Sequence, residues 1–321
     1  MDINNFTKPF TKKSFKDRMK DTGFLIKNSF TIIGKDEDIK TPLIKMAIFT
    51  TIIRLLFFLS LIPILTAYSH ESVGMIALSI ITIIALVTVI IPIRFFFDIR
   101  QKANQSWIVY NTLCGKDISY QDSVDHTKSE KGKLRLIGLV DLLMKYGKAG
   151  RNENSFLMNL LFGFLEEVWD LLSHFMLPSI VIEQKKLKEI VPDLKSLKEN
   201  VPATLTGVFG LDFAGNVITG IVIGVFVVLF IVSIGVGWLI ALVSDVGTMN
   251  LFGNPNLVIS WIPGYIILLL GAVASGIMKK IVESIKAIYF TVFYTSIKQP
   301  ENIADDMREE LTHYLLLENK E

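Results

Sequence analysis

One cysteine, Cys114, stands among 321 residues. A lone thiol forms no intrachain disulfide and supplies too few ligands for a cysteine-based zinc site. Charge is also sparse. Charged residues make up 20% of the chain against 51% hydrophobic, and the formal net charge is only +2. That balance excludes a broad basic surface for nucleic acid. The first residues, MDINNFTKPFTKK, contain no apolar core and no cleavage site of the secretory type, so the first long apolar run is expected to act as the insertion signal. Catalytic signatures are missing too. There is no Gly-Lys-Ser/Thr phosphate loop, no dinucleotide-binding glycine fingerprint, no His-Glu-x-x-His and no Gly-x-Ser-x-Gly. Four scattered histidines offer no catalytic set, with His70 in a short turn, His126 in a polar stretch and His313 in the tail. The expectation is a protein that is not an enzyme and carries no cofactor and no metal.

What is present is apolar length. The mean hydropathy is +0.48, concentrated in runs longer than soluble core helices need, at about 20 residues per crossing. Four spans follow: Met46 to Tyr68, Val73 to Ile93, Asn216 to Val243, and Val258 to Met278 closed by Lys279-Lys280. Ser69-His70-Glu71-Ser72 joins the first two, which makes a tight antiparallel hairpin. Pro63 is expected to kink the first. The fold class is all-α, a polytopic membrane protein of four transmembrane helices in two hairpins with added amphipathic and half-membrane helices. Its parts are a basic amphipathic segment at 1–45, a first hairpin at 46–97, a polar region at 98–215, a second hairpin at 216–280, and a helix with a charged tail at 281–321. The fourth helix is expected to run on through Ile281, Ile285, Ile288 and Tyr289.

Side assignment comes from Lys and Arg. Outside the spans all of them fall in the N-terminal segment, the long polar region or the C-terminal segment, while the two short connections have none. The positive-inside rule then places both termini in the cytoplasm of a cell-membrane protein. Tyr68, Trp238, Trp261 and Tyr265 fall near the opposite ends, where aromatic residues favour the interface. Lys12 to Ile33 sets Phe15, Met19, Ile26, Phe30 and Ile33 at roughly helical spacing among lysines. That suits a helix on an anionic leaflet, or one packed on the protein's own cytoplasmic part.

Within 98–215, residues 115–133 are rich in Asp, Ser and Lys and read as a mobile loop. Leu134 to Tyr146 reads as a short amphipathic helix. The segment 155–182 is long enough to cross a bilayer, and Phe156 to Leu165 is apolar. Glu166, Glu167, Asp170 and His174 follow. Each carboxylate at mid-bilayer costs about 2.5–3.5 kcal/mol, and a crossing here would put Lys279-Lys280 outside. A half-membrane segment ending at Pro178 is therefore expected. Glu166, Asp170 and His174 recur at i, i+4, i+8 and share one face. Asp170 and His174 could clasp a divalent ion, but no second cluster completes a closed site. The face could instead wall a cation-attracting or proton-sensitive cavity, or its acids could pair with Lys185, Lys186 or Lys188.

Glu167-Val168-Trp169-Asp170, Phe175 to Glu183 and Ala287 to Tyr294 together resemble a family of uncharacterised prokaryotic multi-pass membrane proteins. In it, a Trp-led segment ending in Phe-x-x-Pro precedes a basic helix, and an aromatic helix follows the last span. The resemblance implies an intact four-span domain rather than a reaction. More distantly, the architecture is similar to that of sulfate permeases with half-penetrating helices.

Two cations motivate a transport route. Arg54 lies about 12 Å inside its helix at 1.5 Å per residue, and Arg94 ends the second span near the same leaflet. Together they could form a basic vestibule, or Arg54 could snorkel to headgroups. Gly220 and Gly224 form a GxxxG. Gly235 and Gly237 follow, and Ala272 and Gly276 form a small-xxx-small pair; such residues let helices approach closely in lipid, and glycine-rich helices also line pores. The expected partners are the lipid bilayer, further copies in a homo-oligomer and a cytoplasmic protein, with no nucleic acid. The function expected is a homo-oligomeric channel or permease for small ions, the alternative a non-catalytic membrane scaffold or assembly factor. In intact cells, an impermeant maleimide should leave an engineered Ser129→Cys unlabelled until lysis; labelling from outside would reverse the topology.

Overall fold

A computed structural model describes residues 31–70, 73–147, 169, 173–186, 189, 201–243 and 259–308. It is all-α, with no strand among the described residues. The helices are α1 (Lys40–His70), α2 (Val73–Ala85), α3 (Ile91–Leu113), α4 (Tyr120–Lys128), α5 (Lys131–Gly147), α6 (residues 173–183), α7 (Val201–Val243) and α8 (Ile262–Lys298). Among them, four stretches are long and apolar enough to cross a membrane: Glu37–Leu61, Ala77–Leu113, Ala214–Val243 and Ile262–Ser296. The chain is thus a multi-pass membrane protein in its architecture. It divides into a polar unit (Met1–Met46, Phe95–Ala214, Ile281–Glu321) and a membrane unit (Ala47–Arg94, Gly215–Lys280).

Local chemistry explains the breaks. Asp36 caps the turn before α1 by accepting from the Asp38 N–H at 2.8 Å. α1 runs on through Pro63. Between α2 and α3, Leu86–Ile90 forms a π-helical turn. Pro92 follows it; with no N–H and a ring that crowds the carbonyl four residues back, proline favours a wider turn here. α3 stops at Gly115, whose φ of 71° suits glycine. The Gly115 N–H donates to the Thr112 carbonyl at 3.0 Å and the Lys116 N–H to that of Asn111 at 2.9 Å. This pair of bonds satisfies carbonyls that a helix end otherwise leaves open.

Residues 115–133 are not the loop their composition suggests. Ser119 and Asp122 form a reciprocal capping box, with the Asp122 N–H donating to Ser119 Oγ at 3.2 Å and the Ser119 N–H to Asp122 Oδ2 at 3.0 Å. Two orphan donors are satisfied at once, which starts α4. Ser123 and Thr127 then face inward, and Thr127 Oγ1 donates to Asn104 Oδ1 at 2.6 Å. Pro178 likewise does not end its helix: α6 passes through it and stops at Gln184, at φ 53°. Packing offsets the lost hydrogen bond, because Phe175, Leu177, Ile180 and Val181 are all buried around it.

The polar unit has two apolar clusters. One gathers Ile108, Val109 and Leu113 of α3, Phe175 of α6, and Ile288, Phe290 and Phe293 of α8. The other joins Ile99 and Ala103 of α3 to Leu134 and Ile137 of α5 and Leu177, Ile180 and Val181 of α6. Phe175 meets Phe290 edge-on at 4.9 Å. Residues 284–295 of α8 are buried without exception, which marks a central helix. The expected continuation of the fourth span is therefore real, and it forms the heart of this unit. The described part of the half-membrane segment lies in these clusters, in protein rather than lipid.

Polar ties set the register. Gln105 Nε2 donates to the Ile39 carbonyl at 3.0 Å and to Ser284 Oγ at 2.7 Å, buried. Lys102 pairs with Glu283 at 3.2 Å. Replacing Gln105 with Ala leaves both acceptors without this donor, an expected loss of about 1–3 kcal/mol. It should appear as a lowered denaturation midpoint of the detergent-solubilised protein, while the exposed Gln121→Ala leaves the midpoint nearly unchanged.

Candidate functional site

The membrane unit turns its large apolar side chains outward. Ile52, Leu59, Ile81, Ile84, Ile221, Ile231 and Trp238 are among those exposed. In water that pattern would be untenable, and in a bilayer it is the lipid-facing surface. What is buried is mostly small or hydroxylated, with Lys280 at the unit's end. Thr50, Ser60, Ser79, Thr219 and Ser233 are buried there beside the aliphatics Ile53 and Leu86. Ser60 and Ser233 return their hydroxyls to their own helices, onto the Phe57 carbonyl at 2.7 Å and the Phe230 carbonyl at 2.6 Å. Thr50 Oγ1 and Ser79 Oγ find no hydrogen-bond partner among the described residues.

Arg54, one turn after Thr50 on α1, is half-buried. Its Nη1 donates to Ser275 Oγ at 2.9 Å, and that hydroxyl donates onward to the Ala272 carbonyl at 3.0 Å. The guanidinium fills the notch left by Gly276: a Cβ there would come within 2.5 Å of Arg54 Cζ. The hydrogen-bond partner of Arg54 is thus a hydroxyl of α8. One turn and more along, the Tyr265 hydroxyl donates to the Phe58 carbonyl at 2.6 Å. Arg94 stands near the start of α3, half-buried.

The small residues divide into two groups. Gly220, Gly224 and Gly235 are exposed, and a Cβ on any of them meets nothing within 4 Å. Gly237 faces the Ser260 carbonyl oxygen at 2.1 Å from its Cβ position. Gly276 serves Arg54, beside half-buried Ala272. The α7–α8 contact also uses Gly264 against Phe230 and Gly271 against Phe226, the latter at 2.9 Å. Sequence reasoning missed this pair, which lies seven apart, because it sought four-residue spacing; a heptad count would have found it.

His174 is described and buried in the polar unit, its ring 5.0 Å from that of Phe290. Glu166, Glu167 and Asp170, the rest of its expected face, lie outside the described residues. No group of three His, Cys, Asp or Glu able to hold a metal occurs among the described residues. His126 stands in α4, stacked on Trp107 at 3.5 Å with its Nε2 2.8 Å from the Val181 carbonyl. Burial pushes the Cys114 thiol up from its ordinary range, so it is a poor thiolate at neutral pH. No family model, curated protein or solved structure matches the chain.

The glycine geometry makes a direct contrast. Gly237→Ala forces a methyl into a backbone carbonyl and should destabilise the solubilised protein by about 1–3 kcal/mol. Gly235→Ala meets no atom and should be neutral, or stabilising by up to about 1 kcal/mol through helix propensity. Equal midpoints for the two variants would contradict the packing of α7 on the turn that precedes α8.

Proposed function

We propose that this protein is a homo-oligomeric channel or permease for small anions, set in the cell membrane with both termini on the cytoplasmic side. The observation that carries the reading is Arg54, half-buried in the membrane unit on Ser275 and Gly276, in a unit that also buries the unanswered hydroxyls of Thr50 and Ser79. Buried hydroxyls without a protein acceptor call for water or an ion, because a polar group left unsatisfied in lipid costs free energy. Hydroxyl dipoles and a fixed guanidinium favour a dehydrating anion over a cation. Arg54 is positioned by Ser275 and the Gly276 notch, so its charge stays in place as ions pass. Arg94 adds positive potential nearby. The GxxxG of Gly220 and Gly224, open on the outer face of α7, supports association of copies.

A scaffold remains the second reading, favoured by the two packed cores of the polar unit, which have no need of a conducting span. Ion flux separates the two. Purified protein in liposomes should pass chloride, and Arg54→Gln should shift the reversal potential in asymmetric chloride toward lower anion selectivity. Glutamine keeps a donor for Ser275 Oγ, so the variant isolates charge from packing, and Arg54→Lys should retain selectivity better than Gln. An unchanged reversal potential in folded Arg54→Gln protein would defeat the role of Arg54. No conductance in the parent protein would defeat the channel and leave the scaffold.

A further inference from the structure

We infer that α5 is an interfacial helix whose leucine face inserts into the anionic lipid leaflet from which α3 emerges. The inference does not depend on whether the spans conduct.

α5 is apolar on two opposite faces. Leu134, Ile137 and Gly138 are buried. A Cβ at Gly138 would lie 3.1 Å from the Phe96 ring and 3.4 Å from Ile99 Cγ2, so this face packs directly on α3. Leu136, Leu139 and Leu143 are 46%, 42% and 60% exposed. At about 100° per residue they point roughly opposite to the packed face. A helix bordered by water would carry its charges there, since leucine gains nothing from exposure.

Where α5 sits along α3 identifies the occupant. Phe96 and Ile99 lie about 3 and 8 Å of helical rise beyond Arg94, where the apolar span ends. A headgroup layer is about 5–8 Å thick on each side of the hydrocarbon. α5 thus packs on the stretch of α3 that directly follows the apolar span, and its outer leucines point away from α3. The charge agrees. α5 contains Lys131, Lys133, Arg135 and Lys145 against one acid, Asp141, and Lys131 and Arg135 are exposed. Their aliphatic stems can lie along the leucine face while the charges reach lipid phosphates.

The test uses the full-length chain with Cys114→Ser as background. Leu139→Cys and Leu143→Cys, each labelled with an environment-sensitive nitrobenzoxadiazole, are compared with the exposed Gln121→Cys of α4 in phosphatidylcholine–phosphatidylglycerol vesicles. Both α5 probes should emit to the blue and lose fluorescence when lipids spin-labelled high on the acyl chain are included, while the α4 probe does neither. Adding Lys131→Gln and Arg135→Gln should weaken that quenching. Water-like emission without quenching at both α5 positions would overturn the inference. Blue-shifted emission that spin-labelled lipid cannot quench would overturn it too, by showing that protein, whether a second copy or another segment, covers the leucines. Quenching unchanged by the two charge substitutions would overturn the role of the cations.

Discussion

The burial of residues 284–295 on every side of α8 is the constraint from which the polar unit follows. A helix surrounded by protein must receive apolar contacts around its full circumference. Residues 31–39, α3 and α6 supply them, and the segment after α8 closes the cluster with Ile303 and Met307. Its few polar groups must then be answered locally. Thr291 and Thr295 return their hydroxyls to the carbonyls four residues back, at 2.7 and 2.8 Å. Ser284 accepts from Gln105, and Glu283 takes Lys102. Polar pairs of this kind specify one register, because each alternative leaves a buried group unanswered.

The same helix meets the opposite rule in its first half. There the surroundings are lipid, the bulky side chains point outward, and close approach depends on what is missing from the backbone. Gly264 and Gly271 receive Phe230 and Phe226 of α7, and Gly276 receives the guanidinium of Arg54 from α1. Without water to drive apolar side chains together, helix contacts in a bilayer depend on shape and hydrogen bonds. An arginine half-buried in such a contact is tolerable because Ser275 accepts from it at 2.9 Å.

Legibility in the sequence tracked the range of the interaction. The four spans, the continuation of α8 and the short amphipathic helix of α5 were readable because each rests on a local apolar pattern. The capping box of Ser119 and Asp122 was equally local, yet the low hydrophobicity of residues 115–133 outweighed it and the stretch read as a loop. Pro178 read as a helix end because its missing N–H is a local fact, while the burial of Phe175, Leu177, Ile180 and Val181 that offsets it comes from α3, α5 and α8. At the candidate site, Arg54 was singled out as a costly charge, and the structure seats it against α8. Ser275, 221 residues away in the chain, could not be named as the partner of Arg54 from pattern alone.

The sequence by itself determined that this is a helical membrane protein with four apolar spans, since hydrophobic length and periodicity are properties of contiguous residues. Only the tertiary structure decided which small residues are contacts and which are open surface. Gly220 and Gly237 look alike in the chain, but one faces empty space and the other a backbone carbonyl. A glycine carries no side chain to advertise its neighbour, so its role is set wholly by what another helix places against it.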